Sequence, residues 1–200
     1  VHIYDKETET FSFKKGHIFN QILLADEKNR TSPKTQSSLL QAMEEGEVST
    51  EVGDYILDKP FIVLATQNPI EYQGTFPLPE AQLDRFLMRL SIGYPDKSYE
   101  MEILKRYQSI KSLNSLEPVA NKQDILNMQE EVENVIAKDS ILEYIINIVN
   151  ATRNSNELQL GASPRASIDL LKASKAKAYL SGRNYVIPDD VKGIVIPVLS

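Results

Sequence analysis

Apolar and polar positions alternate with a period of two at the start of the chain. Val1, Ile3, Phe11 and Phe13 stand between polar neighbours on either side of Asp5-Lys6-Glu7-Thr8. This pattern predicts a β-hairpin over 1–13. Beyond Gly16 the run from Ile18 to Ala25 predicts a buried strand or its approach. Val48 to Leu57 predicts a second hairpin, turned at Glu51-Val52-Gly53-Asp54. Phe61-Ile62-Val63-Leu64-Ala65-Thr66 predicts another buried strand, and Phe86 to Ile92 a third, closed by Gly93-Tyr94-Pro95. Between them, Glu71 to Pro79 reads as a loop holding Gly74, Pro77 and Pro79.

The helical periods are as distinct. Ser32 is a candidate N-cap with Pro33 at the first helical position; Leu39, Leu40 and Met43 form one apolar face, and Gly46 supplies a stop. A short helix is expected at about Glu80 to Arg85. After Gly93–Lys97 no clear strand follows. Helical spacing predicts helices over Ser98–Ile110, Gln123–Val132 and Ser140–Asn154, one from Ser163-Pro164 to about Leu180, and a last one over Asp189–Leu199. The expected organisation is an α/β part over 1–95 and an all-helical part over 96–200.

Composition adds bounds. The chain has 200 residues, 42% of them hydrophobic and 25% charged, enough apolar content for a packed core. Its net charge of -6 argues against general nucleic-acid binding, which favours a basic domain. With no cysteine there is neither a disulfide nor a thiolate metal site, as suits a reducing cytoplasm. No apolar run approaches the ~20 residues of a membrane span, and no signal peptide opens the chain. The chain opens at Val1 without a methionine and at once reads as a strand. It is therefore expected to be a piece of a longer protein.

The candidate chemistry sits at strand ends. Ile22-Leu23-Leu24-Ala25 runs directly into Asp26-Glu27. In a parallel sheet ligands sit at the carboxyl ends of strands. Two acids there suit a Mg²⁺-nucleotide site, one holding the metal through its water shell and the other activating a water. The strand at 61–66 ends in Gln67-Asn68-Pro69. A third polar group, Arg85, precedes the strand expected at 86–92, and Arg165 follows in the helical part. Each also has a plain structural reading. Asp26-Glu27 suits a solvated strand end, Asn68-Pro69 a turn, Arg85 beside Asp84 a surface ion pair, and Arg165 an ordinary first-turn residue. His2 and His17 have no partner acids at ligand spacing, Glu44-Glu45 reads as a solvated helix end, and Lys172, Lys175 and Lys177 as a solvated face. Tyr144 with Ile141, Ile145 and Ile148 reads as helical core.

Taken in order, these elements resemble the AAA+ ATPases and, within them, the MoxR family. The resemblance is carried by ILLADEKNRTSPKTQSSLLQAMEEGEV, by PFIVLATQNPIEYQGTFPLPEAQLDRF and by GASPRAS at 161–167, and runs nearly end to end. It implies a fold of class α/β: a partial AAA+ core, a parallel sheet with helices and two β-hairpin insertions, followed by an all-α lid domain. By the same resemblance Asp26 is the Walker B acid that orients Mg²⁺ through water, and Glu27 the base that polarises the attacking water. Asn68 is sensor 1, Arg85 the arginine finger that reaches a neighbouring subunit's nucleotide, and Arg165 the sensor 2 residue of the lid. The implied cofactors are ATP and Mg²⁺. The implied assembly is a ring of the chain with itself, a hexamer. The implied work is chaperone-like remodelling or maturation of client proteins, including partners with a von Willebrand A domain. The hairpins at 1–13 and 48–57 resemble insertions that project from such a ring.

Three departures qualify the resemblance. Lys28 stands where the family usually has Ile, and Ile187-Pro188-Asp189-Asp190 opens the last helix where a Thr cap is more common. The third concerns phosphate binding. A loop of the form G-x-x-x-x-G-K-[ST] should precede the Walker B strand, yet none of the 8 glycines is followed by lysine. The expectation is therefore the C-terminal two-thirds of a MoxR-type ATPase module, unable to hydrolyse ATP alone. An alternative from another class is a non-enzymatic adaptor whose helical part binds a partner without ATP and without a ring. A third reading, a DNA-associated motor of the related chelatase and helicase clade, is opposed by the acidic balance.

Overall fold

The computed structural model describes residues 2–5, 10–13, 15–26, 32–50, 53–67, 79–108 and 117–200. It divides into two compact units, Val1–Phe86 and Leu87–Ser200.

The first unit is mixed α/β. Strands β1 (His2–Asp5) and β2 (Thr10–Phe13) pair antiparallel, His2 against Phe13; the turn of this hairpin lies outside the described residues. A 3-10 turn at His17–Phe19 precedes β3 (Ile22–Ala25), shorter than the run of apolar residues suggested. Helix α1 spans Pro33–Glu45. Ser32 Oγ accepts the Thr35 N–H at 3.3 Å, and Gly46 takes a left-handed φ of 69°, which favours glycine. Leu40 and Ala42 are its buried apolar residues. Strands β4 (Glu47–Thr50) and β5 (Gly53–Ile56) form the second hairpin, closed at its base by Leu57 N–H donating to the Gly46 carbonyl at 2.8 Å. Tyr55 meets Phe19 edge to face, with ring centroids 6.1 Å apart.

Strand β6 (Ile62–Ala65) pairs with β3 in parallel, Ile22 with Ile62 through to Ala25 with Ala65. The 36-residue connection that α1 and the hairpin occupy is ample for a parallel crossover. These strands are not buried as expected: along each, alternate residues are exposed, Ile22 and Leu24 at 63% each and Leu64 at 54%. Helix α2 is a single turn, Glu80–Leu83.

The third strand expected at 86–92 is absent. These described residues carry no regular structure, and Ile92 is 99% exposed. A strand needs a neighbour for its backbone. Phe86 N–H donates to the Leu83 carbonyl at 2.9 Å and Arg89 N–H to the Pro197 carbonyl at 2.7 Å, and neither bond belongs to a ladder.

The second unit is helical: α3 (Lys97–Gln108), α4 (Lys122–Glu133), α5 (Asp139–Arg153), α6 (Pro164–Leu180), α7 (Pro188–Lys192) and α8 (Val195–Leu199). Its core is built by Val135, Ile141, Ile145, Leu170, Ala173, Ala178, Val186, Val191 and Ile194, with Tyr144 and Ile148 packed against it. The single last helix expected from Asp189 breaks in two. A continuous helix would require Pro197 to donate to the Gly193 carbonyl, and proline has no N–H. Restarting at Val195 puts Pro197 in a first turn, where that donor is not needed. Lys175 is not simply solvated: its ammonium donates to the Glu133 carbonyl at the end of α4, 2.9 Å. Among the described residues no helix is long and apolar enough to cross a membrane.

Candidate functional site

The parallel pairing of β3 and β6 fixes what stands at their carboxyl ends. Ala25 lies opposite Ala65, and Thr66 N–H donates to the Ala25 carbonyl at 3.1 Å, carrying the ladder one step past the last pair. Asp26 and Thr66 therefore emerge side by side. The Thr66 hydroxyl donates to Asp26 Oδ1 at 2.5 Å, joining residues 40 apart in sequence. Asp26 is exposed. A solvent-facing carboxylate beside a hydroxyl is an all-oxygen donor set. It suits a hard cation that keeps much of its water shell, so the residues present fit Mg²⁺.

Glu27 and Asn68 lie outside the described residues. Each follows the paired strand ends closely, Glu27 directly after Asp26 and Asn68 two positions after Thr66.

Arg85 sits just after the turn of α2. Its Nη1 lies 3.3 Å from Glu44 Oε2 near the end of α1, with the two side chains 35% and 40% exposed. The pair is thus with Glu44 rather than with the adjacent Asp84, and Glu44 is more than a solvated helix end. A partly exposed pair of this kind contributes about 0–1 kcal/mol, too little to hold the guanidinium against a stronger anion.

Arg165 belongs to the second unit, in the first turn of α6. That turn is anchored from α5. Arg153 Nε donates to the Ala162 carbonyl at 2.8 Å, Thr152 Oγ1 accepts the Ala162 N–H at 3.0 Å, and Ser163 Oγ caps the helix through the Ala166 N–H at 3.2 Å. Gly161 permits the close approach. A Cβ there would come within 2.6 Å of the Arg153 Cα.

Sequence reasoning missed two participants, Thr66 and Glu44. Thr66 had a signal: Ala25-Asp26 and Ala65-Thr66 close two apolar runs of equal type, and parallel pairing in register would set the two polar residues together. Glu44 had none, because its partner is 41 positions away and no local pattern links them.

A family model described as "ATPase family associated with various cellular activities (AAA)" matches residues 1–88, and one described as "AAA lid domain" matches 150–200. The uncharacterized protein YeaC of Bacillus subtilis is 53% identical over 96% of this chain and 60% of its own length. Chaperone MoxR1 of Mycobacterium tuberculosis is 38% identical over 98% of this chain and 54% of its own. The crystal structure of a proposed ATPase from Cytophaga hutchinsonii superposes with a TM-score of 0.90 at 40% identity, covering all of this chain and 63% of that one. The chain thus spans less than two-thirds of the length of these relatives.

Proposed function

Because the chain belongs to the MoxR family of AAA+ ATPases, we propose that it carries the hydrolytic and lid portions of an ATPase that remodels or matures partner proteins. The observation that carries this reading is the parallel β3–β6 register, with Asp26 and Thr66 hydrogen-bonded at the carboxyl ends. That is where a nucleotide meets an α/β sheet.

In this reading residues 1–95 form the C-terminal part of the AAA+ core and residues 96–200 the lid. Asp26 would hold Mg²⁺ through its water shell, and the metal when bound would supply positive charge beside the phosphates. Glu27 accepts a proton from the attacking water, and Asn68 hydrogen-bonds the γ-phosphate and that water. Arg85 leaves Glu44 for the γ-phosphate of a neighbouring subunit; its planar fork keeps its charge and clamps two oxygens. Arg165, seated by the Gly161–Arg153 contact, couples the lid to the nucleotide. The assembly is a hexameric ring in the cytoplasm. Its partners are client proteins, including proteins with a von Willebrand A domain, rather than nucleic acid. The 200 residues contain no phosphate-binding loop, so hydrolysis requires a polypeptide that supplies one.

The test is Glu27→Gln in the full-length protein. It should bind ATP and fail to hydrolyse it; normal turnover would remove Glu27 from the role of base.

A further inference from the structure

We propose that Thr66 is a positioning residue for Asp26, holding the carboxylate in the orientation that presents it to a hydrated divalent cation. The inference deepens the reading above and rests on its assignment of Asp26. It comes from the strand ends themselves. Ladder pairing fixes the backbone of position 66 through the Thr66 N–H and the Ala25 carbonyl, 3.1 Å apart. It does not fix the side-chain torsions of Asp26, which is exposed and lies one residue beyond β3.

The hydroxyl supplies that constraint. An ionised carboxylate only accepts, so the proton in the 2.5 Å contact comes from Thr66 Oγ1. Charge-assisted bonds of this type are short and about twice as strong as neutral ones. The bond uses one acceptor position on Oδ1. A carboxylate has about four such positions, so Oδ2 keeps acceptor capacity toward a metal-bound water. Threonine suits the task better than serine, because branching at Cβ stiffens χ1 and aims the hydroxyl. Valine has nearly the same shape and no donor.

The test measures binding as well as turnover, in the full-length protein. Affinity for a fluorescent ATP analogue is followed as Mg²⁺ is raised, for Thr66→Val, Thr66→Ser and Asp26→Asn. Partners behind a metal site typically contribute about 10–100-fold. Thr66→Val should therefore need about tenfold or more Mg²⁺ for half-maximal binding, with hydrolysis reduced in parallel. Thr66→Ser should recover most of the loss. A merely structural threonine would lower the melting temperature and leave the Mg²⁺ requirement unmoved. In an Asp26→Asn background, Thr66→Val should have little further effect, since the two would act as one unit. If Thr66→Val does not fold, Thr66→Ala is read the same way. Wild-type Mg²⁺ dependence in a folded Thr66→Val, with Asp26→Asn impaired, overturns the role of Thr66 alone. Wild-type dependence in Asp26→Asn overturns the assignment of Asp26 beneath it.

Discussion

Arg183 grips Asp190 at two points. Nη2 lies 2.5 Å from Oδ1 and Nη1 2.8 Å from Oδ2, while the Asp190 side chain is only 3% exposed. Asp190 Oδ2 also accepts the Ile187 N–H at 2.9 Å. The third residue of α7 thus reaches back to stabilise the helix entry, where Ile187 offers no capping side chain. The Arg183 bonds foremost, and then the Ile187 N–H, hold the Asp190 carboxyl below its ordinary value of 3.8, against the opposing effect of burial.

A carboxylate whose value is lowered on folding stabilises the fold above its unfolded value. That contribution is lost as pH falls through the folded value. At pH 7 Asp190→Asn should therefore lower the stability of the 200-residue chain by about 1.5–3 kcal/mol, the range for a hydrogen bond to a charged group. The gap should narrow as pH falls below the ordinary value of 3.8 and close only once Asp190 is protonated in the fold as well. Urea midpoints across pH check this. A gap that stays constant with pH would show that the pair does not couple folding to protonation.

Two glycines of the helical unit should respond differently to alanine. At Gly161 the new Cβ meets backbone, the Arg153 Cα at 2.6 Å, so α5 or the turn before α6 must shift. Overpacking of this kind costs about 1–3 kcal/mol. At Gly193 the nearest atom is the Lys177 ammonium nitrogen, the far end of a flexible chain, and φ is an ordinary -71°. Thermal melts should show a clear loss of several degrees for Gly161→Ala and a change near zero for Gly193→Ala. An unchanged melt for Gly161→Ala would mean that the Gly161–Arg153 approach is not a close one.

These contrasts show what a linear reading can reach. The limits of α1 and the start of α6 were legible because caps act within a few residues: Ser32 on Thr35, Ser163 on Ala166. The apolar stripe of α5 was legible because one face of a helix is a local pattern. The strand expected at 86–92 misled, since a strand exists only through a neighbour and none pairs with it among the described residues. Asp26 was visible as a strand-end acid, but its hydroxyl partner depended on register across 40 residues. Arg85 was visible as a cation, but its partner Glu44 was set by packing alone.

The chain as it stands should neither bind nor hydrolyse ATP to a measurable extent. Backbone amides of a glycine-rich loop and its lysine carry most contacts to the phosphates in this class of site, and none of the glycines here precedes a lysine. Calorimetric titration of the 200-residue chain with MgATP should give no heat beyond dilution. Micromolar binding would mean that Asp26 and its neighbours hold nucleotide without such a loop, and would remove the main support for needing one.

Arg85 offers the sharpest test of assembly. Its pair with Glu44, 3.3 Å and partly exposed, is weak enough to exchange for phosphate. In the full-length protein Arg85→Ala should lower kcat by about 10³–10⁵, the range found for arginine fingers, with little change in melting temperature. If Arg85 serves the neighbouring subunit, mixing Arg85→Ala with Glu27→Gln should restore hydrolysis from two inactive variants. Every interface that combines the intact Glu27 of one subunit with the intact Arg85 of the next is complete. Random mixing in a head-to-tail ring makes about a quarter of the interfaces so, which bounds the recovery. If Arg85 instead acts on its own subunit's nucleotide, no subunit in the mixture holds both groups and activity stays at the level of the separate variants.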